Sequence, residues 1–255
     1  SVQQTPAKSS RRGDDATLID SYLAHLRTVA PYLHPDEQHV AVDGQMANQK
    51  WIEGVEAVGL HTIGKLRRDA KLRFFYTGPR REKGSGRQKT YDGQVDWQDL
   101  SRFDYVTEQD GLHLYTQLLN HVTFDRTLRV VVVLDRRQPD KTRYVLLFST
   151  DLDLDPVTLL YMYKARFQIE FIFRDAKQFT GLADAQTRDP QRLHFHFNAA
   201  LTTLNIAKIE QRQAQSDDQP MVYSIASVKA HYFNERFLHR IFSMYGWDWK
   251  QRKKS

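Results

Sequence analysis

The sequence predicts an α/β protein, and three observations support this fold class. Two short apolar strands, at residues 39–43 and 60–66, flank a helical stretch at about 47–58 and so form a strand-helix-strand unit. Residues 68–152 alternate short β-prone runs with turn-rich segments, which predicts a β-rich insertion. A mostly apolar stretch then begins at Pro156 and continues to Gly181, and its length predicts a helix.

The remaining segments are predicted from local composition. Residues 1–15 are polar and contain paired arginines, which predicts a disordered segment or linker. Apolar residues at helical spacing predict an amphipathic helix over 17–33, and two further helices over about 194–213 and 224–242. His194 and His196 lie two residues apart and so face different sides of their helix, which predicts packing or hydrogen bonding rather than metal binding.

Composition excludes several classes of protein. The chain has 255 residues without cysteine, which excludes a disulfide framework and a thiolate zinc site. No apolar run reaches the roughly 20 residues that a membrane-spanning helix needs. The net charge of +6 favours polyanionic partners, with basic clusters at 8–12, 65–73, 80–89 and 250–254. The glycine-rich basic loop at 78–89 is either a contact to a nucleic-acid backbone or a solvated loop.

The predicted helix after Asp155-Pro156 carries an unusual set of charges. Asp155 is a predicted N-cap, Pro156 fits the first helical position, and Gly181 is a plausible terminator. At about 100° per residue, five polar side chains share a stripe of roughly 80° on an otherwise apolar helix: Tyr163, Arg166, Glu170, Arg174 and Lys177. Either Glu170 forms ion pairs with Arg166 and Arg174, or this stripe faces a charged ligand.

Asp43 lies at the carboxyl end of the first predicted strand. Active sites of open α/β sheets lie at the carboxyl ends of strands, so this aspartate is a candidate site residue. Asp-Gly pairs also make turns or cap helices, and position alone favours that second interpretation for Asp43 and Gly44.

The spacing of the charged stripe resembles a known signature. Tyr163, Arg166, Glu170 and Lys177 are separated by gaps of two, three and six residues. This spacing matches the Tyr-Arg-Glu-Lys signature of bacterial insertion-sequence transposases with a DDE active site, of the insertion-sequence-4 type. Further stretches resemble one lineage of these enzymes: residues 42–44, 64–70, 76–78, 91–93 and 194–198. The resemblance covers most of residues 20–210, and it favours ligand binding over ion pairing for the stripe.

The resemblance implies an RNase H-like core with a β-rich insertion between the second catalytic aspartate and the catalytic glutamate. Asp43 and Glu170 would then be catalytic carboxylates that bind Mg²⁺ or Mn²⁺. The residues expected to contact DNA phosphates are Tyr163, Arg166, Lys177, Lys65 and Arg67, with Arg174 as an accessory contact outside the signature. Trp97 is expected to stack on an extruded base. The expected partners are double-stranded DNA, as transposon ends and target, and a second protomer in a synaptic complex. The expected location is the bacterial cytoplasm, at the nucleoid.

One departure from the family pattern limits these expectations. The first catalytic aspartate of the family lies on an earlier strand, whereas this chain offers only Asp14, Asp15 and Asp20 there, none on a strand-like run. We therefore expect a core that is incomplete at its N-terminus, as in the carboxyl-terminal part of a longer transposase. The predicted divisions are 1–15 (linker), 16–67 (core), 68–152 (insertion), 153–215 (core with the signature helix) and 216–255 (helical region and basic tail).

Three alternatives stay open at this point. The chain is a non-catalytic DNA-binding remnant of a transposase, a metal-dependent RNase H-like nuclease acting in repair, or an α/β protein unrelated to nucleic acid with an incidental helix network. With two of three carboxylates, we expect the chain alone to bind DNA without efficient transposition or cleavage.

Overall fold

Six helices and eight strands form in the computed structural model, which describes residues 17–79, 87–137, 143–214 and 224–247. The helices are α1 (Leu18–Val29), α2 (Gln49–Glu56), α3 (Pro156–Ala165), α4 (Gln168–Phe179), α5 (Pro190–Ala214) and α6 (Ile225–Met244). The strands are β1 (His39–Ala41), β2 (His61–Leu66), β3 (Leu72–Phe75), β4 (Tyr91–Gln94), β5 (Asp104–Gln109), β6 (Leu112–His121), β7 (Arg126–Asp135) and β8 (Arg143–Ser149). The chain divides into two compact units, with the boundary between Arg166 and Phe167.

The first unit is built on one sheet with the strand order β1-β2-β8-β7-β6-β3-β4, and β5 also pairs with β6. β1 and β2 are parallel, with His39 opposite His61 and Ala41 opposite Ile63, and the other pairings are antiparallel. β1 lies at an edge of this sheet, where β2 is its only strand partner among the described residues. The predicted α/β class and the strand-helix-strand unit are confirmed.

Strand alternation gives this sheet two apolar faces. Along β7, Val130 and Val132 point to the face covered by α1 and α2, while Val131 and Val133 point to the face covered by α3. The first face packs against Leu23 of α1 and against Trp51, Ile52 and Val55 of α2. The second face packs against Leu159, Leu160 and Tyr163 of α3. Helices on both faces bury the central strands, whose sequences are nearly continuous in apolar residues.

Local signals at the helix ends explain where α1 and α2 begin. Thr17 and Asp20 form a reciprocal capping box at the start of α1, and Lys50 of α2 pairs with Asp20 at 2.6 Å. Asn48 caps α2 by accepting a hydrogen bond from the Trp51 N–H. Asp20 therefore belongs to a helix start. Asp14 and Asp15 lie outside the described residues, as do the predicted linker and the basic tail.

The second unit contains α4, α5 and α6 around a small core. Its buried residues are Ala176, Leu182, Ala200, Leu204, Ala207 and Ile225. Gly181 ends α4 with a positive φ of 72°, as predicted, and the His196 Nε2 lies 2.9 Å from the Gly181 carbonyl oxygen. His196 is thus a hydrogen-bonding histidine, which confirms the prediction for that residue.

The prediction of one continuous buried helix from Pro156 to Gly181 is wrong. The chain turns at Arg166 and Phe167, where the backbone dihedral angles stay helical but the hydrogen bonds shift to residues three positions back. The apolar side chains of α4 are also exposed rather than buried: Phe167, Ile169, Phe171, Ile172 and Phe173 are 42–50% exposed. Periodicity predicted helical backbone correctly but could not show this irregular turn.

The predicted β-rich region joins the sheet of the strand-helix-strand unit. β8 pairs directly with β2, and β7 and β6 continue the sheet from β8. The sequence missed β4, because its Tyr-Asp-Gly-Gln composition is typical of a turn. The basic loop at 78–89 lies partly outside the described residues, which omit 80–86. Among the described helices, none is long and apolar enough to cross a membrane.

His121, at the end of β6, makes the folding stability of the first unit sensitive to pH. Its side chain stacks on Phe124 with 3.7 Å between ring centroids, and its Nδ1 accepts a hydrogen bond from the Phe124 N–H. Burial lowers the pKa of His121 to about 4. The unfolded chain takes up this proton below about pH 6.5, so the free energy of unfolding falls as the pH drops from about 6.5 to 4.

We predict that His121→Asn, which keeps a hydrogen-bond acceptor but does not titrate, removes this contribution. Between pH 7.5 and 5, the wild-type chain should lose about 2 kcal/mol more stability than the variant, measured by urea unfolding. His34→Asn, at an exposed histidine, is the control and should keep the wild-type dependence. Parallel pH profiles for the wild type and His121→Asn would contradict the prediction.

Candidate active site

Asp43 lies two residues beyond β1, at the carboxyl end of the parallel β1–β2 pair. Its carbonyl oxygen accepts a hydrogen bond from the Met46 N–H, and its Oδ1 accepts one from the Gly44 N–H at 2.8 Å. Asp43 thus makes a turn, as position alone predicted, but it does not cap α2. The side chain is exposed, and Oδ2 has no hydrogen-bond partner in the described part of the chain. One carboxylate oxygen stays available to a ligand.

The end of α3 places two more predicted site residues close to Asp43. Tyr163 is buried against the sheet, and the guanidinium carbon of Arg166 lies 5.5 Å from the centre of its ring. Burial raises the pKa of Tyr163, Arg166 lowers it by charge and by a hydrogen bond, and the negative charge of Asp43 raises it. The charge of Asp43 therefore acts on the Tyr163 phenol, and Tyr163 and Arg166 lie together at the end of α3.

A basic cleft of about 340 Å³ opens beside the Asp43 turn. Its lining includes Gly44 from that turn, Lys65 at the end of β2, and Lys71 just before β3. A side chain at position 44 would approach the Lys65 carbonyl oxygen to 3.3 Å, so glycine allows the turn to lie close to β2. Arg67 also lines the cleft, but its guanidinium binds the Asp69 carboxylate through two hydrogen bonds of 3.0 Å.

Lys65 and Lys71 are the unneutralised cations of this cleft, since neither forms an ion pair among the described residues. A cleft with this charge attracts phosphate groups. Lys65 and Arg67 were each predicted to contact a DNA phosphate. Lys71 was not, although it belongs to the same basic cluster at 65–73. Thr123 and Phe124, in the turn between β6 and β7, also line the cleft. They lie far from Lys65 in the sequence, and no pattern of residues predicts that they are close to it in the fold.

The second unit holds the other polar residues of the charged stripe on α4. Glu170, Arg174 and Lys177 follow one another at spacings of four and three residues, which places them on one face of α4. The guanidinium of Arg174 binds Asp175 at 3.0 Å, so the expected alternative pairing of Glu170 with Arg174 does not form. Glu170 and Lys177 are exposed, and neither has an ion pair with another described residue of this unit.

Asp43 and Glu170 belong to different compact units. Within the described ranges, no three side chains of histidine, cysteine, aspartate or glutamate are grouped so that they could hold a metal ion. Asp43 and Glu170 supply hard carboxylate oxygens, which suit Mg²⁺ or Mn²⁺ in chemistry, but two carboxylates are fewer than the three expected.

Trp97 lies in an aromatic pocket of about 650 Å³ in the first unit. Its ring is 6.4 Å from Tyr144 in a stacked arrangement and 6.1 Å from Phe103. The pocket is also lined by Tyr115 and Arg136. Trp97 is half-buried, so part of its ring supports the core and part faces the pocket.

Comparison with known families identifies the family of this chain. A family model described as "Transposase DDE domain" matches residues 7–206, most of the chain. The chain belongs to the DDE transposase family. A search of curated proteins gave no match. Membership in this family makes the chain an α/β transposase domain of a class that transfers phosphoryl groups and acts on DNA.

The electrostatic effect of Asp43 on Tyr163 in this DDE transposase can be tested directly. We predict that Asp43→Asn lowers the pKa of the Tyr163 phenol, because the substitution removes a negative charge that opposes ionisation. The measurement is a ¹⁹F NMR titration of the chain with 3-fluorotyrosine at position 163. The control is Asp69→Asn, because Asp69 lies in the same unit but is not among the charges that act on Tyr163. This substitution should leave the pKa of Tyr163 unchanged. An unchanged pKa in Asp43→Asn would show that the two residues are not close.

Proposed function

We propose that this DDE transposase moves a bacterial insertion sequence by cut-and-paste transposition, through metal-dependent phosphodiester hydrolysis and strand transfer. The observation that carries the proposal is the position of Asp43 at the carboxyl end of the parallel strand pair, from where its charge acts on Tyr163. The Tyr-Arg-Glu-Lys spacing supports the insertion-sequence-4 type.

Asp43 and Glu170 would hold Mg²⁺ or Mn²⁺, which when bound supplies activation of the attacking oxygen and stabilisation of the leaving oxygen. Arg166 would bind a DNA phosphate through two parallel hydrogen bonds, and Lys177 would bind as a point charge. The Tyr163 hydroxyl would donate a hydrogen bond to a phosphate oxygen. Its raised pKa keeps this hydroxyl protonated at neutral pH, as a donor must be.

The edge position of β1 supports the proposal that a further strand completes the active site. The described part of the sheet ends at β1, so one side of that strand is open to pairing. We propose that the strand carrying the first catalytic aspartate pairs there. Asp20 is committed to the capping box of α1, so it does not serve as that carboxylate.

Further cations would bind the DNA backbone along the same surface. Lys65 lines the cleft beside Asp43, and Arg67 would contribute once a phosphate competes with Asp69 for its guanidinium. Arg174, which pairs with Asp175 on α4, remains an accessory contact. Trp97 would stack on an extruded base in its aromatic pocket.

The proposed reaction joins two transposon ends to a target, so two protomers would associate in a synaptic complex. The proposed location is the bacterial cytoplasm, at the nucleoid. The lack of a group of three metal ligands among the described residues favours, as a second candidate, a DNA-binding remnant without catalysis. An RNase H-like nuclease is a further alternative, and the activity assay below distinguishes the three.

We predict that the isolated chain binds double-stranded DNA, with Kd values of about 1–100 µM at physiological salt, but cleaves it poorly with Mg²⁺ or Mn²⁺. The measurement combines fluorescence anisotropy with a gel assay for nicking and strand transfer, and Asp43→Asn serves as the inactive control. Efficient strand transfer by the wild-type chain would contradict the prediction of poor cleavage. Cleavage without strand transfer, and without preference for inverted repeats, would identify the nuclease instead.

The basic cleft gives a quantitative prediction for DNA binding. Each phosphate contact contributes about 0.9 to the slope of log K against log salt concentration, so Lys65→Gln should reduce the magnitude of the slope by about 0.9. Lys50→Gln is the control, because Lys50 pairs with Asp20 away from the cleft, and it should keep the wild-type slope. A wild-type slope for Lys65→Gln would exclude a phosphate contact at Lys65.

A further inference from the structure

We propose that His39 and Asp151 are a positioning pair, which fixes β1, and thereby Asp43, relative to the segment that leads into α3. This inference rests on the proposed function only in treating Asp43 as the catalytic carboxylate. Neither residue belongs to the Tyr-Arg-Glu-Lys signature, and neither is in the candidate active site.

β1 needs a second attachment because its own pairing is short. It has three residues, and in the described sheet it pairs with β2 alone. Two hydrogen bonds extend that pairing: the His61 N–H donates to the Gln38 carbonyl at 2.8 Å, and the Val42 N–H donates to the Ile63 carbonyl at 2.9 Å. Edge strands this short open easily, and Asp43 lies directly beyond the last of these bonds.

The second attachment is a hydrogen-bonded pair of side chains at the other end of β1. The His39 Nε2 lies 2.9 Å from the Asp151 Oδ2, and the two side chains are 13% and 23% exposed. The Asp151 Oδ1 accepts a hydrogen bond from the Asp153 N–H at 3.0 Å, so the carboxylate also holds the loop after β8. Burial opposes ionisation of Asp151, but the hydrogen bond from His39 and the neighbouring donors keep its pKa below the usual range.

Asp151 connects this pair to α3 through a short, well-defined loop. Ser149 ends β8, and its hydroxyl accepts a hydrogen bond from the Asp151 N–H at 3.0 Å. Asp155 then caps α3 by accepting a hydrogen bond from the Thr158 N–H at 2.8 Å. α3 carries Tyr163 on its last turn. A bond between His39 and Asp151 therefore joins the start of β1 to the start of α3.

Both elements pack on β2, which pairs with β1 and contributes Ile63 to the cluster beneath α3. Ala41 of β1 packs against the cluster that contains Leu159 and Tyr163 of α3. Asp43 follows β1, and its charge acts on Tyr163 at the far end of α3. The pair thus attaches the start of β1 to the loop that leads into α3, while Asp43 follows the other end of β1. Loss of the pair would let β1 shift relative to that loop and weaken the electrostatic effect of Asp43 on Tyr163.

The test measures the alignment itself, without catalysis. The shift of the Tyr163 pKa on Asp43→Asn, read from 3-fluorotyrosine at position 163, reports how strongly the two residues interact. We measure that shift in the wild-type, His39→Ala and His39→Gln backgrounds. Alanine removes the contact to Asp151, whereas the glutamine side-chain amide can replace the Nε2–H donor. The matched control is His34→Ala, which removes a histidine paired with Asp36 on the surface.

The expected result is a shift at least halved in His39→Ala, restored in His39→Gln and unchanged in His34→Ala. Urea unfolding shows that each variant is folded. A full shift in folded His39→Ala would overturn the positioning role and leave the proposed active site intact. If His39→Ala does not fold, Asp151→Ala, which removes the acceptor of the His39 contact, replaces it, and a full shift there overturns the proposal equally. Absence of any shift in the wild-type background would overturn the site geometry, and with it the positioning role.

Discussion

The parallel pairing of β1 with β2 is the constraint on which the rest of the site depends. Parallel strands end at the same edge of a sheet, so this pairing brings Asp43, beyond β1, to the edge that Lys65 reaches on β2. The pairing is short, and the apolar packing on both faces of the sheet holds it. Val42 packs towards α1 and α2, while Ala41 packs towards α3. The carboxylate is therefore exposed on a backbone that is itself anchored.

Charge and burial are distributed consistently around this edge. Tyr163 is buried and protonated, which suits a hydrogen-bond donor, and Arg166 beside it is cationic. Lys65 and Lys71 have no carboxylate partner in the described cleft, whereas Arg67 is neutralised by Asp69. Cations without an ion-pair partner beside an exposed carboxylate are expected where a phosphate and a metal ion bind together. The phosphate offsets the charge of the cations, and the metal ion offsets the charge of the carboxylate.

The positions of the strands and of the helix ends could be predicted well from the sequence, because neighbouring residues determine them. The strands at 39–43 and 60–66 follow apolar patterns, and Asp155-Pro156 and Gly181 act through caps that neighbouring residues determine. The turn at Arg166 and Phe167 could not be predicted, since neither proline nor glycine marks it. Pairing of Glu170 with Arg174 was one of the two interpretations of the charged stripe, whereas the Arg174 guanidinium binds Asp175. The cleft beside Asp43 and the His39–Asp151 pair join residues far apart in sequence, so only the fold reveals them.

The central claim is that Asp43 and Glu170 bind the same metal centre. The most direct measurement is backbone cleavage by Fe²⁺ substituted for Mg²⁺, with ascorbate and peroxide, in the chain bound to DNA, with the cut sites mapped by mass spectrometry. The account predicts cuts next to both Asp43 and Glu170, suppressed by excess Mg²⁺ and lost at both positions in Asp43→Asn and in Glu170→Gln. Cuts near only one carboxylate, or cuts at Asp43 that persist in Glu170→Gln, would contradict it.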